Sequence, residues 1–215
     1  FFMDGQDSLS IEGNSVTRLR NSIADGMQIQ NPMNFKINGN FVNAVRFGIN
    51  IGNANSLTPS TITAELVNNM VSSSSSFSLF LSDPVNVSVW HNSFFTSSNI
   101  EAVFIGGTFS DSIDFRNNIL YSVNGPALRT TVADSLLFLK LDNNVYHTDG
   151  SILLNHNGIT YTSLANYQAA QSNFDIRSLE GNPSFASTTD LHIVGTFVNN
   201  TGDNFLPVNI DIDGD

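Results

Sequence analysis

The chain has no cysteine and few charged residues. Charged side chains make up 13% of its 215 residues. The absence of cysteine excludes disulfide frameworks, thiolate zinc sites and thiol nucleophiles. No apolar run approaches the roughly 18 residues that a membrane-spanning helix needs, so no membrane span is expected. The first residues also lack the basic segment followed by an apolar one that is typical of a signal peptide.

Basic residues are especially scarce. Eight Lys and Arg stand against 19 Asp and Glu, which gives a formal net charge of −11. Eight scattered cations cannot offset the charge of a phosphate backbone, so nucleic acid is not an expected ligand. In contrast, the chain has 29 Asn and 27 Ser. These residues favour turns over helix interiors, so the composition predicts short strands separated by turns.

A six-residue pattern recurs along the chain: apolar, any, apolar, any, any, Asn. The intervals between successive terminal asparagines are 26, 29, 23, 26 and 26 residues. Propeller blades and helical-pair repeats need longer periods, and the fixed leucine spacing of leucine-rich repeats is missing. The pattern therefore predicts stacked coils of parallel strands, each about 4.8 Å above the last. The repeating asparagines are Asn14, Asn40, Asn69, Asn92, Asn118 and Asn144.

Equivalent residues of such coils stack in columns. The asparagines are interpreted as structural: each is expected at a corner, in left-handed backbone, bonded to the asparagines above and below. The apolar positions are expected to point inward, with Phe115 between Val89 and Leu141, while Asp114 and Arg116 point to solvent. The first inward column is Leu9, Phe35, Ala64, Val87, Ile113 and Leu139, and the second is Ile11, Ile37, Leu66, Val89, Phe115 and Leu141.

Paired asparagines occur in Arg116-Asn-Asn-Ile-Leu-Tyr121 and in Asp142-Asn-Asn-Val-Tyr146. They resemble the repeat signature of right-handed parallel β-helix proteins, the pectate-lyase-like superfamily, in its bacterial secreted or cell-surface type. The resemblance implies an all-β, right-handed parallel β-helix of about six coils of about 26 residues. It implies no particular reaction, because the superfamily includes lyases, hydrolases, epimerases, adhesins and inert surface modules.

The repeat stops near residue 155. Residues 1–158 are predicted to form the coils, and 159–215 an irregular closing segment packed on the same solenoid. Ser163 is expected to cap a short helix over Leu164–Gln171. The closing segment resembles that of bacterial secreted β-helix proteins. Because no polar capping element precedes the first repeat, upstream domains of a larger parent protein are expected.

Aspartates alternate at the end of the chain, in Asp211, Asp213 and Asp215. Alternate aspartates followed by glycine begin a calcium loop, but the full loop needs twelve residues and ends in Glu. These three residues are therefore weak metal candidates. No cofactor is expected, and calcium is kept as an alternative.

The outward positions between the two apolar columns and directly after them carry charge and the only tryptophan. Structurally, Asp114 beside Lys140 and Arg116 beside Asp142 would be ion pairs between adjacent coils. Functionally, the resemblance to lyases implies Arg116 or Lys140 as the base and Asp114 and Asp142 as metal ligands. The candidate catalytic residues are Arg116 and Lys140, and the candidate ligand-binding residues are Glu65, Trp90, Asp114 and Asp142.

Two functions remain open from the sequence. The first is a non-catalytic extracellular module, a rigid spacer or adhesive surface that contacts polysaccharide or other cell-surface components. The second is a polysaccharide lyase or glycoside hydrolase that acts on an acidic polysaccharide at the outer face of the coils, where Trp90 would stack on a sugar ring.

Overall fold

The computed structural model describes residues 2–5, 8–17, 24–54, 64–198 and 201–203. The chain winds into a parallel β-solenoid of about five turns, with about 26 residues in each turn. Each turn contributes one short strand to each of three sheets, separated by corners. The all-β parallel solenoid predicted from the repeat is confirmed.

Sheet 1 is the longest of the three. Its strands pair in parallel from turn to turn until the last two, Leu154–His156 and Ile159–Tyr161, which form an antiparallel pair at the end of the coils. Within the described ranges its eight strands are β1 (Phe2–Asp4), β4 (Met27–Gln30), β7 (Ile49–Gly52), β10 (Leu79–Ser82), β13 (Val103–Gly106), β16 (Leu128–Thr130), β19 (Leu154–His156) and β20 (Ile159–Tyr161).

Sheet 2 carries the repeating apolar-any-apolar segments. Alternate residues of its strands are buried, as strand geometry requires of a sheet with one face on the core. Counting only residues that the structure describes, its six strands are β2 (Leu9–Glu12), β5 (Phe35–Asn38), β8 (Ala64–Val67), β11 (Val87–Trp90), β14 (Ile113–Arg116) and β17 (Phe138–Asp142).

Sheet 3 follows each asparagine corner. The large apolar residue two positions after each asparagine forms one column, from Val16 to Tyr146. In the described part of the chain its seven strands are β3 (Ser15–Thr17), β6 (Phe41–Ala44), β9 (Met70–Ser73), β12 (Ser93–Thr96), β15 (Ile119–Ser122), β18 (Val145–Thr148) and β21 (Leu179–Glu180).

The core is the space between the three sheets. Phe115 is fully buried and pairs in register with Val89 on one side and Leu141 on the other, as predicted. The prediction for Leu139 is wrong, because this residue is 69% exposed. A bulge in β17 pairs Ile113 with Phe138 and Asp114 with Lys140, so Phe138 takes the inward position.

The six asparagines form the predicted ladder. In each of its five steps, the backbone N–H and the side-chain Nδ2 of one asparagine both donate to Oδ1 of the asparagine in the next turn, at 2.9–3.2 Å. The ladder ends on the closing segment, where Asn144 donates to Ser178 Oγ at 2.8 Å and to Asp175 Oδ1 at 3.3 Å.

The left-handed backbone lies one residue earlier than predicted. The residue immediately before each ladder asparagine has positive φ, between 54° and 65°. Left-handed backbone favours glycine and asparagine, which fill five of these six positions. The corner residues are Gly13, Gly39, Asn68, His91, Asn117 and Asn143.

Two short helices interrupt the sheets in the described residues. Helix α1 (Asp134–Leu137) precedes the bulged strand β17, and helix α2 (Leu164–Ala170) lies in the closing segment. Ser163 caps α2, where its hydroxyl accepts from the backbone N–H of Asn166 at 3.3 Å. Leu164 and Tyr167 are the buried face of this helix. The predicted cap and helix are confirmed, with Gln171 as the C-cap.

Candidate functional site

A groove of about 590 Å³ lies on the outer face of sheet 2, between the last two coils and the closing segment. Three of the eight basic residues of an otherwise acidic chain line it, together with two aspartates. Its lining residues are Arg116, Leu139, Lys140, Leu141, Asp142, Asn173, Phe174, Arg177 and Asp203. Of the predicted site residues, the structure therefore brings Arg116, Lys140 and Asp142 together.

Arg116 is more enclosed than the sequence indicates. Its side chain leaves the outer face of sheet 2, but only 7% of it is exposed. Its Nε and Nη2 donate to the two carboxylate oxygens of Asp114 at 2.6 and 2.7 Å, and its Nη1 donates to Asp203 Oδ2 at 3.0 Å. The prediction of a solvent-exposed Arg116 is wrong, because the closing segment covers it.

The predicted ion pairs between coils are replaced by others. The strands align Arg116 with Asp142 and Asp114 with Lys140 as expected. However, Arg116 bonds Asp114 on its own strand, and Asp142 instead accepts from Arg177 Nε at 2.8 Å and from the Arg177 backbone N–H at 2.7 Å. The closing segment therefore supplies the partner that the neighbouring coil was expected to supply.

The carboxylates around Arg116 affect whether its guanidinium could act as a base. The hydrogen bonds that Arg116 donates to Asp114 raise the pKa of Arg116 above its ordinary value. Burial opposes this rise, and the charges of Asp114 and Asp203 support it. Its guanidinium therefore stays protonated and donates. Of the two candidate bases, Lys140 is the exposed one, and it lines the groove.

Glu65 and Trp90 lie outside the groove lining. Glu65 aligns with Ser88, which aligns with Asp114, so Glu65 is two coils away from the groove. Trp90 aligns with Arg116 and is half-buried one coil away. The indole N–H of Trp90 is buried and has no hydrogen-bond partner among the residues described.

Arg177 and Asp203 complete the groove, and sequence reasoning missed both. They belong to the closing segment, where no repeat assigns a position to a residue. The signal available was weak: Arg177 is one of only eight basic residues and lies in a stretch that resembles a family closing segment.

The weak metal candidates Asp211, Asp213 and Asp215 lie outside the described residues. Asp114 and Asp142, the metal ligands implied by the lyase resemblance, bond Arg116 and Arg177 respectively. Across the ranges that the structure describes, no three His, Cys, Asp or Glu side chains are placed to hold a metal ion. Over the same ranges, no helix has the length and hydropathy to cross a membrane.

A second surface was not predicted. Four half-buried phenylalanines pack together on the outer face of sheet 1, with Phe80 and Phe104 stacked at 4.8 Å between ring centroids. Arg46 lies over Phe47 and Arg129 over Phe104, and these arginines are paired with Asp25 and Glu101. The cluster consists of Phe47, Phe77, Phe80 and Phe104.

Comparisons of the chain with protein-family models, with curated proteins and with solved structures find no match. The assignment to parallel β-solenoids therefore rests on the strand register and the asparagine ladder.

Proposed function

We propose that the chain is a non-catalytic β-helix module of a bacterial secreted or cell-surface protein, which binds carbohydrate in the groove of sheet 2. The observation that supports this most is the groove itself, which is lined by arginine, lysine and aspartate side chains from sheet 2 and from the closing segment. Sugar hydroxyls both donate and accept, so a site with fixed donors and acceptors beside an apolar ring such as Phe174 suits them.

The solenoid suits the role of a rigid support. Every described turn is bonded to the next through three sheets and through the asparagine ladder. Binding groups held on regular strands lose little conformational entropy when a ligand binds, which favours affinity. The groove is therefore preorganised by the coils and finished by the closing segment.

A binding panel tests this proposal. The protein should bind at least one polymer among alginate, hyaluronan, polygalacturonate, dextran and xylan, measured by calorimetry. Lys140→Ala and Arg177→Ala should each weaken that binding by about tenfold, the scale of a lost charge-assisted hydrogen bond. Lys36→Ala is the matched control, because Lys36 pairs with Glu12 at 3.1 Å on the same sheet but outside the groove lining. Equal affinities for all three variants would contradict the assignment of the groove.

The alternative is a polysaccharide lyase or glycoside hydrolase that acts on an acidic polysaccharide. The specific observation in its favour is the exposed Lys140, placed beside the protonated Arg116. Lys140, in its neutral amine form, would accept the proton next to a sugar carboxylate and become an ammonium, while arginine donors stabilise the charge that develops on the sugar. Release of unsaturated or reducing sugar ends from the same polymers, abolished by Lys140→Ala, would establish this alternative and overturn the non-catalytic module.

A further inference from the structure

Asp203 brings a carboxylate into the groove from far along the chain. Its Oδ2 accepts from Nη1 of Arg116, 87 residues earlier, at 3.0 Å. The same oxygen lies 3.7 Å from Nη2 of Arg177. Only 9% of the Asp203 side chain is exposed. One carboxylate therefore lies between two guanidinium groups at the wall of the candidate site.

Both arginines already have another carboxylate partner. Arg116 forms a two-bond pair with Asp114, and Arg177 is bonded to Asp142. Arg116 uses its Nη1 to bond Asp203, and Nη2 of Arg177 lies within ion-pair distance of the same carboxylate oxygen. Without that carboxylate, donors of two guanidinium groups would face the groove, and guanidinium N–H groups form strong charge-assisted hydrogen bonds with carboxylates.

The backbone of this segment is held separately from its carboxylate. The Asn117 side chain accepts from the Asp203 backbone N–H at 2.8 Å and donates to the Asp203 carbonyl at 3.1 Å. Asn143 donates to the Thr201 carbonyl at 3.1 Å. We call residues 201–203 the strap. Because corner amides hold the strap backbone, neutralising Asp203 should leave the strap in place.

We propose that Asp203 is an internal occupant of the groove, whose carboxylate fills the position that a carboxylate of the ligand would take. The inference rests on the proposed function and adds to it a form of self-inhibition. An acidic ligand must displace the Asp203 carboxylate to reach Arg116, whereas a neutral ligand meets no such competition.

The experiment compares Asp203→Asn with the native chain. Asp203→Asn keeps the shape of the side chain and should bind polygalacturonate at least about tenfold more tightly, with dextran binding unchanged. Asp190→Asn is the charge-matched control, since it removes one negative charge from the same closing segment outside the groove. If both variants gained the same affinity for polygalacturonate, the less negative net charge alone would explain the gain, and the inference would be overturned. The double variant Asp203→Asn, Arg177→Gln should lose the gain.

A small carboxylate separates this inference from the proposed function. Sodium glucuronate should shift the arginine side-chain N–H signals of Asp203→Asn in NMR spectra, and shift those of the native chain much less. If no polymer binds any variant while glucuronate still enters Asp203→Asn, the proposed function fails and the internal occupant stands. If polymer binds and Asp203→Asn behaves as the native chain with both probes, the internal occupant is wrong.

Discussion

Ile113 pairs with Phe138, while the next residue, Asp114, pairs with Lys140. One extra residue, Leu139, is therefore accommodated in the last strand of sheet 2 and points to solvent. The bulge lies at the groove, whose lining includes Leu139 and Lys140. Bulges commonly redirect a side chain next to a binding site, and this one resets the strand so that Lys140 still faces outward.

The bulge makes opposite predictions for two adjacent residues. Phe138 is 5% exposed, so Phe138→Ala should lower the free energy of unfolding by about 3–5 kcal/mol through lost burial and the cavity left behind. Leu139→Ala should change it by less than about 0.5 kcal/mol, as an exposed site does. Urea denaturation of both variants measures the difference. A larger loss for Leu139→Ala than for Phe138→Ala would place the strand in the unbulged register.

Alanine substitutions at two neighbouring residues of β14 should both lower the free energy of unfolding by more than a substitution at an exposed strand position does. Phe115→Ala should cost about 3–5 kcal/mol, because the ring is fully buried. Asp114→Ala should cost about 2–3 kcal/mol rather than the fraction typical of a surface pair, because it removes the two-bond partner of the enclosed Arg116. Glu65→Ala, in the equivalent position two coils away, is the control and should cost under about 1 kcal/mol. A loss for Asp114→Ala no greater than that of Glu65→Ala would show that Arg116 does not depend on it.

The sequence predicts well what the repeat controls. Val89, Phe115 and Leu141 share a column because equivalent positions in stacked coils coincide, and counting residues is enough to find them. The exposure of Leu139 could not be predicted in this way, because a leucine at an expected apolar position gives no sign of a bulge. The burial of Arg116 could not be predicted for another reason: it depends on Asp203, which lies in a segment without a repeat.

The asparagine ladder gives a prediction about the stability of the fold. Asn92 Nδ2 donates to the carbonyls of Leu66 and Trp90, both at 2.9 Å, and to Asn118 Oδ1. Asn92→Ala removes these bonds and also removes the Oδ1 that accepts from the backbone N–H and Nδ2 of the buried Asn69, so it should cost about 3 kcal/mol or more. The exposed Asn99→Ala is the control and should be nearly neutral. Thermal unfolding measures both, and a neutral Asn92→Ala would mean that the ladder adds no net stability.

The last prediction concerns the pH dependence of the closing segment. Burial raises the pKa of Asp175 to about 6, although bonds from Ser178, Asn144 and Tyr146 and the nearby His156 oppose the rise. The ordinary pKa in an unfolded chain is about 3.8. The folded state therefore binds the proton more tightly, so the stabilising contribution is fully present below about pH 4. This contribution to the free energy of unfolding amounts to about 3 kcal/mol, and it is lost as the pH rises through about 6.

Asp175→Asn tests this, because the amide keeps the shape of the protonated acid and cannot ionise. The native chain should lose stability between pH 4 and pH 7 relative to Asp175→Asn, and the variant should be the more stable of the two at pH 7. Calorimetric unfolding at half-unit pH intervals gives both curves. Asp190→Asn serves as the control, because the bonds from His192 lower the pKa of that exposed carboxyl. This variant should therefore still lose stability between pH 4 and pH 7, as the native chain does. Parallel curves for the native chain and Asp175→Asn would show that Asp175 ionises normally and that the end of the ladder is open to water.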